Sequence, residues 1–335
     1  MKKIFFLILI SISLLLPSTI NAKADTSYQA RNYIVIDAYS NEVLEGKDIN
    51  SSYSVASISK IMTAIIAIES NDLFKVITVS EIINTIEGSS IYLSVGDQIT
   101  VIDLVYGLLL RSGNDAAVLI AENIAKDIDS FVELMNIKAE EIGMRNTIFH
   151  NPSGLDIFDE GNISSCYDMA ILMAYCMQNE VFEQIVSTKS YTNPLKGLWV
   201  NKNKLLRQYE YCIGGKTGYT YKAKRTLVTC AQKDEQRLIV VTFNCGSDFS
   251  YHKYLYEKYF NEYHYIVFLN KGKNYIYEYI ISAPFKIGMR ISKEQVLMGI
   301  KKYYIDKKKQ ILTIYFVNQY GVEFKGGTFK AVSVV

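Results

Sequence analysis

Ser57 and Lys60 lie three residues apart in the stretch V-A-S-I-S-K-I-M-T-A, Val55 to Ala64. On a helix, this spacing places both side chains on one face. Serine is a weak nucleophile that needs a base, and lysine can act as that base when burial or a nearby cation lowers its pKa. Ser59 is adjacent to Lys60 and therefore points elsewhere. The spacing indicates Ser57 as a candidate nucleophile and Lys60 as its base.

Taken alone, the S-x-x-K spacing is a weak signal, because serine and lysine are both common. The segment S-Y-H-K at residues 250–253 matches the spacing equally well. The ordinary alternative at Ser57 is a serine that caps a buried helix beside a solvated lysine. Additional motifs are needed to favour chemistry over that alternative.

Two later motifs add polar groups of the kind that acyl transfer needs. S-G-N at residues 112–114 falls at a break between two helical runs, where a hydroxyl can relay a proton and an amide can hold a substrate amide. K-T-G at residues 216–218 ends a strand, whose edge offers backbone groups to an extended peptide. There lysine supplies a cation for a carboxylate, threonine a donor, and glycine a close approach. Separately, these are an ordinary turn and an ordinary strand end. The ordered set S-x-x-K, S-x-N and K-T-G is far more specific.

Other chemistries find no support in the composition. The net charge is +2, so no long-range field favours nucleic acid. The three histidines are too scattered to suggest a zinc site, and the five cysteines contain no C-x-x-C pair. We therefore expect no metal, no cofactor and no nucleic-acid partner. Although export would permit disulfides, the cysteines are expected to be buried small hydrophobes.

The elements that would position these motifs follow the order strands, helices, strands. A hydrophobic content of 49% is typical of a globular protein. Apolar positions from Ser57 to Glu69 cover much of the helix circumference, which predicts a buried helix. Apolar runs predict a hairpin at 33–44, helices at 102–110, 116–124, 130–142 and 167–177, antiparallel strands at 211–216, 226–231 and 238–244, and a last helix at 248–263. This order fits an α+β domain whose sheet joins both ends of the domain.

The two ends of the chain differ from this central region. A basic start, an apolar run at 4–16 and the sequence A-K-A at 22–24 predict a secretory signal peptide that is cleaved after Ala24. An uncleaved anchor is the alternative. From about residue 265, β-like runs with Lys, Gly and Asn turns predict a small C-terminal β domain. The predicted division is therefore 1–24, 25–263 and 264–335. The cell wall and the outer face of the membrane are both compatible destinations.

With its three motifs in this order, the sequence resembles the penicillin-binding D-alanyl-D-alanine carboxypeptidases, serine peptidases of low molecular weight. The resemblance runs from about Tyr33 to Phe260. It includes further stretches at 88–90, 109–116, 151–156 and 203–206. It implies a β-lactamase/transpeptidase-like antiparallel sheet flanked by helices with a helical subdomain. It also implies a peptidoglycan stem peptide as substrate and β-lactams as inhibitors.

The resemblance also implies a role for each catalytic residue. Ser57 would attack the carbonyl between two D-alanines, and Lys60 would take its proton. Ser112, with Lys216 nearby, would pass a proton to the leaving D-alanine. Asn114 would hold the peptide, and water would release the acyl-enzyme.

Binding roles follow from the same resemblance. Lys216 and Thr217 would bind the terminal carboxylate, and Gly218 would allow the peptide a close approach. The oxyanion would sit between the backbone N–H groups of Ser57 and Tyr219. Such a hole typically contributes a few kcal/mol.

Several positions depart from the family pattern. Val55-Ala56 stands where Pro-Ala is frequent, Tyr219 where histidine is frequent, and Lys224-Arg225 where glycine or a small residue usually precedes the next strand. The stretch 247–252 is a diverged form of a D-W-x-D-H sequence. These changes leave substrate preference and rate open.

Two alternatives to the carboxypeptidase remain. One is a β-lactamase or an esterase of the same fold, although no E-x-x-L-N stretch lies between Ser112 and Lys216. The other is a catalytically silent wall-binding protein, which the complete motifs disfavour because loss of function would relax those residues first.

Overall fold

The computed structural model describes residues 29–70, 72–125, 127–156, 160–296 and 298–333. The predicted signal peptide, residues 1–24, lies outside the described residues. In the part described, no helix is both long and apolar enough to cross a membrane.

A five-stranded antiparallel sheet is the central element. Its members are β1 Ala30–Asp37, β2 Val43–Lys47, β9 Cys212–Thr220, β10 Lys224–Lys233 and β11 Gln236–Cys245. The strands lie in the order β2-β1-β11-β10-β9. The sheet therefore joins the first and last strands of the N-terminal region, as the order of elements predicted. The K-T-G motif lies on β9, which is an edge strand.

Helices cover both faces of this sheet. They are α1 Lys60–Glu69, α2 Val101–Tyr106, α3 Asn114–Ile124, α4 Ile128–Glu141, α5 Cys166–Cys176, α6 Glu180–Ser187, α7 Leu205–Gln208 and α8 Asp248–Glu262. Successive strand residues point to opposite faces. Ile34 and Ile36 accordingly belong to the core that contains the buried side chains of α1, α3 and α5, whereas Val35 belongs to the core that contains those of α8. The α+β class and the antiparallel sheet predicted from sequence are confirmed.

Helix α1, which begins beside Ser57, is buried along almost its whole length. Every residue from Lys60 to Ile68 is buried, as the apolar pattern predicted. Short strand pairs brace the loops around it: β3 Tyr53–Ser54 with β6 Ile163–Ser164, β4 Val76–Thr78 with β5 Gln98–Thr100, and β7 Ser190–Asn193 with β8 Gly197–Val200.

Helix α6 and the hairpin β7–β8 were not predicted from sequence. Helix α6 has only eight residues, although its apolar residues Val181, Phe182, Ile185 and Val186 recur at helical spacing, and β7 is composed of polar residues and one tyrosine. An ion pair outside the hairpin holds its turn in place, with the Lys196 Nζ atom 2.6 Å from the Asp97 carboxylate.

The regular elements in the described residues of the C-terminal region, 263–296 and 298–333, are strands. They are β12 Tyr263–Leu269, β13 Gly272–Ile276, β14 Tyr279–Ala283, β15 Ile287–Ser292, β16 Gly299–Asp306, β17 Ile311–Asn318, β18 Glu323–Lys330 and β19 Val332–Ser333. These strands form three small antiparallel sheets around buried side chains that include Phe268, Ile281 and Leu312. The small C-terminal β domain of the predicted fold is therefore present.

A buried ion pair joins this β region to the central sheet. Arg290 of β15 donates to the carboxylate of Asp37 at the end of β1, at 2.7 Å. The side chains are only 3% and 1% exposed. Each charge is therefore held by the other, since an unpaired buried charge is strongly unfavourable.

Replacing Arg290 with methionine is expected to lower the free energy of unfolding by about 3–5 kcal/mol, because Asp37 would be left buried without its cation. Urea denaturation of the purified protein measures this change. The double variant Arg290→Met/Asp37→Asn should recover part of the loss. An Arg290→Met protein as stable as the parent would contradict the prediction.

Candidate active site

Ser57 lies in a 3-10 turn, Ala56–Ser59, that leads directly into α1. Ala56 has a φ of 54°, a left-handed backbone conformation that residues other than glycine rarely adopt. Gly154 presses against this turn, since a Cβ atom at Gly154 would collide with the Ala56 carbonyl oxygen. The Ser59 hydroxyl is buried and donates to the same carbonyl at 2.5 Å. Ser59 thus stabilises the turn, while Ser57 stays partly exposed.

Lys60 lies directly beneath Ser57, with its Nζ atom 3.0 Å from the Ser57 Oγ atom. The same amine donates to the Asn114 Oδ1 atom at 2.7 Å and to the Ser153 carbonyl oxygen. Burial, together with the charge of Lys202, lowers the pKa of Lys60 to about 7. A neutral amine at this position can accept the Ser57 proton near neutral pH.

Ser112 is held at the end of a π-helical turn, Gly107–Arg111, that continues α2. Its φ of 64° places it in the left-handed region, which ends the helix and turns the side chain into the site. Lys216 reaches it from β9, with its Nζ atom 2.9 Å from the Ser112 Oγ atom. Burial lowers the pKa of Lys216 well below its ordinary value, with further contributions from Lys60 and Lys202. The site therefore contains two serine–lysine pairs.

Residues 87–91, which lie between α1 and α2, form one wall of the site and are hydrogen-bonded to the start of α3. The Asn114 backbone N–H donates to the Ser89 carbonyl oxygen at 2.6 Å, and its side-chain amide donates to the Glu87 carbonyl oxygen at 2.6 Å. The buried Asp115 carboxylate accepts from the Ser90 hydroxyl at 2.5 Å and from the Ile91 N–H at 3.1 Å. These bonds fix the wall relative to Lys60.

Strand β9 forms the opposite wall, and its Gly218 allows it to approach Ser57 closely. A Cβ atom at Gly218 would collide with the Thr226 Oγ1 atom and would lie 3.1 Å from the Ser57 nitrogen. The Thr226 hydroxyl in turn donates to the Val55 carbonyl oxygen at 2.9 Å. No side chain larger than hydrogen fits here without a shift of these groups.

The two walls enclose a cavity of about 310 Å³. It is lined by Ser57, Ser89, Ser112, Lys202, Lys204, Thr217, Gly218, Tyr219, Arg225, Asp248 and Phe249. The three motifs identified from sequence therefore meet at one place. Among the described residues, no group of three or more His, Cys, Asp or Glu side chains could hold a metal ion.

Arg225 shows what the sequence pattern missed. It stands where a small residue was expected, yet its side chain lines the cavity and bonds the Asp248 carboxylate at 2.8 and 3.1 Å. Asp248 is 3% exposed, whereas Arg225 is 45% exposed. Lys216 has the opposite environment, because it is 1% exposed and is absent from the cavity lining. The sequence signal that could have indicated Arg225 is its position near the start of β10, one residue before Thr226, on the strand that pairs with the K-T-G strand.

The second S-x-x-K match lies on the surface. Ser250 and Lys253 are both exposed on α8, away from the cavity lining. His252, between them, is buried and contacts the hydroxyls of Thr229 and Thr242 at 2.7 and 3.0 Å. Burial lowers the pKa of His252 to about 3, so the ring is neutral and serves packing.

A serine in contact with a buried lysine amine, set between a helical layer and the edge of an antiparallel sheet, is the arrangement of serine enzymes of the β-lactamase/transpeptidase fold. The family model described as peptidase S11, D-alanyl-D-alanine carboxypeptidase, matches residues 19–247. The chain belongs to this family of serine-type carboxypeptidases, and the family resemblance seen in the sequence is confirmed.

Similar proteins agree with this assignment. D-alanyl-D-alanine carboxypeptidase DacF of Bacillus subtilis is 34% identical over 86% of this chain and 81% of its own length. DacB2 of Mycobacterium tuberculosis is 35% identical over 63% of this chain and 73% of its own length. The crystal structure of penicillin binding protein 5 from Haemophilus influenzae covers 91% of this chain and 97% of that chain, with a TM-score of 0.76 and 26% identity.

Proposed function

We propose that this protein removes the terminal D-alanine from a peptidoglycan stem peptide through an acyl-enzyme on Ser57. The observation that carries the proposal is the 3.0 Å contact between the Ser57 Oγ atom and the Lys60 Nζ atom at the base of the cavity. Burial of Lys60 favours its neutral form, which is the form that can act as a base.

In the proposed acylation, the Ser57 proton passes to neutral Lys60 as the oxygen attacks the carbonyl between the two D-alanines. Backbone N–H groups of Ser57 and Tyr219 stabilise the oxyanion, a contribution of about 3–4 kcal/mol in comparable enzymes. The C–N bond then breaks as the Ser112 hydroxyl protonates the leaving amine, and the proton that Lys60 took from Ser57 replaces the one that Ser112 gave, which returns Lys60 to its neutral form. Lys216 supports Ser112 in this step through their 2.9 Å contact.

The acyl-enzyme is then hydrolysed. Water gives a proton to neutral Lys60 as its oxygen adds to the ester carbonyl, and the Ser57 oxygen then leaves and takes that proton back from Lys60. Asn114 is proposed to hold the acyl-side amide throughout, since its side chain already bonds Lys60 at 2.7 Å. A β-lactam would acylate Ser57 in the same way and remain attached.

The terminal carboxylate is proposed to bind Thr217 and Arg225. The sequence pattern suggested Lys216 for this charge, but the buried Lys216 amine is already bonded to Ser112 and to the Thr217 carbonyl oxygen. Arg225 is a cation that is exposed in the cavity, and Asp248 fixes its guanidinium through two hydrogen bonds. A guanidinium held in this way matches a carboxylate well.

Arg225→Gln is expected to lower kcat/KM for a peptide that ends in D-Ala-D-Ala by about 10–100-fold, since a charge-assisted hydrogen bond contributes about 1.5–3 kcal/mol. The same peptide with a C-terminal amide should be affected much less, because it carries no carboxylate. D-Alanine or D-alaninamide release measures both. Equal losses for acid and amide would contradict the assignment.

One experiment tests the proposed function as a whole. The purified protein is incubated with a labelled penicillin and, separately, with a pentapeptide that ends in D-Ala-D-Ala. Stable labelling with release of D-alanine is the expected result. Rapid turnover of penicillin would instead favour a β-lactamase, and neither label nor product would favour a silent wall-binding protein.

Export is part of the same proposal, with cleavage of the signal peptide after Ala24. The support is the basic, apolar and A-K-A pattern of the first 24 residues. The proposed substrate lies outside the cytoplasm, on the outer face of the membrane or in the wall, where an exported enzyme would meet it.

A further inference from the structure

Two further lysines line the cavity that Arg225 also lines. Lys202 and Lys204 lie in the loop between β8 and α7, and the Lys202 backbone N–H donates to the Leu110 carbonyl oxygen at 3.0 Å. The Lys202 amine donates to the Ser89 hydroxyl at 3.0 Å. Among the described residues, neither lysine forms an ion pair with an aspartate or glutamate.

The charge of the cavity is therefore unbalanced. Asp248 is the one acid among the described lining residues, and its two carboxylate oxygens already bond Arg225. Burial, with the nearby charge of Arg111, lowers the pKa of Lys202. A partly desolvated cation without a carboxylate partner is unfavourable, and an anionic ligand would relieve that cost.

The location of Ser89 indicates which part of the substrate would supply the anion. The Ser89 carbonyl oxygen accepts from the backbone N–H of Asn114 at 2.6 Å, and Asn114 is the residue proposed to hold the acyl-side amide. Arg225, on β10, is proposed to hold the leaving residue. The Ser89 wall thus adjoins the acyl side of the scissile bond.

We propose that Ser89, Lys202 and Lys204 form a second anion subsite, which takes a free side-chain carboxylate on the residue that precedes D-Ala-D-Ala. This inference rests on the proposed function and narrows its substrate class to stem peptides with a dicarboxylic residue at that position. The terminal carboxylate and the side-chain carboxylate then bind within one cavity.

A competing account gives Lys202 a purely electrostatic role. Its charge contributes to the lowered pKa values of Lys60 and Lys216. In that case, removal of the charge would shift the pH dependence of every substrate alike. A side-chain anion subsite instead changes the ratio between an acidic substrate and its neutral isostere.

The test compares acetyl-Glu-D-Ala-D-Ala with acetyl-Gln-D-Ala-D-Ala, which differ by one charge at nearly constant shape. The parent protein should show about a tenfold higher kcat/KM for the Glu peptide, equivalent to about 1.4 kcal/mol. The ratio should fall as salt is raised, because ions screen the attraction. Lys202→Gln/Lys204→Gln should bring the ratio close to one.

A matched control removes two exposed lysines outside the cavity, Lys253→Gln/Lys301→Gln, and should keep the parent ratio. A parent ratio near one, a ratio unchanged in the Lys202/Lys204 variant, or an equal loss for both peptides would overturn the subsite. Absence of D-alanine release from both peptides in the parent protein would instead refute the proposed function on which it rests.

Discussion

Ser57→Ala is expected to abolish stable penicillin labelling and to lower D-alanine release by about 10³–10⁶-fold, the range seen when a catalytic nucleophile is removed. The alanine protein has no oxygen to attack the peptide or the β-lactam ring. Lys60 keeps its bonds to Asn114 and to the Ser153 carbonyl oxygen, so the fold should persist. Gel fluorography of the label and a D-alanine assay provide the two measurements.

The neighbouring serines supply matched controls. Ser59→Ala removes a buried hydrogen bond to the Ala56 carbonyl oxygen, and Ser250→Ala changes an exposed position on α8. Both variants should still be labelled. Two outcomes would contradict the assignment of Ser57 as the nucleophile. One is loss of labelling in either control variant with the fold retained, and the other is persistent labelling of Ser57→Ala.

The parts of the site that sequence predicted are those set by local periodicity. The spacing of Ser57 and Lys60 fixes them on adjoining turns, and the apolar pattern of 57–69 predicts the burial that perturbs the lysine. The joining of strands from both ends of the domain in one sheet followed from the order of elements.

The parts that were missed depend on contacts between distant segments. Arg225 and Asp248 are brought together only when α8 packs beside β10. The bond between Lys202 and Ser89 joins residues separated by 113 positions. A single sequence carries no periodic signal for such pairs. Arginine, aspartate, lysine and serine are also common residue types, so the composition of the chain does not indicate that these pairs form.

Lys216 illustrates a different limit. Its motif correctly indicated a lysine at the site, but residue type does not reveal whether a charge is exposed or buried. The structure places the amine against Ser112 rather than in the cavity. Burial, with further contributions from the charges of Lys60 and Lys202, lowers the pKa of Lys216 and favours its neutral form. In the proposed function, Lys216 therefore takes part in acid–base work, and Arg225 binds the anion.

Lys60→Arg is expected to lower the rate of acylation by about 10²–10⁴-fold, the usual contribution of a general base. Arginine retains a positive charge at all working pH values and cannot accept the Ser57 proton. Stopped-flow acylation by a labelled penicillin measures the rate. Lys253→Gln, on the surface of α8, is the control and should acylate at the parent rate.

The pH dependence of the parent protein tests the same residue independently. Burial, helped by Lys202, places the pKa of Lys60 at about 7, so the reactive neutral form grows as pH rises through that value. Acylation should therefore increase close to tenfold per pH unit well below 7 and level off above about 8. Because only the deprotonated amine is a base, the acylation rate should fall in acid and rise in mild alkali. A rate that is flat from pH 5 to 8, or that falls over this range, would exclude Lys60 as the base.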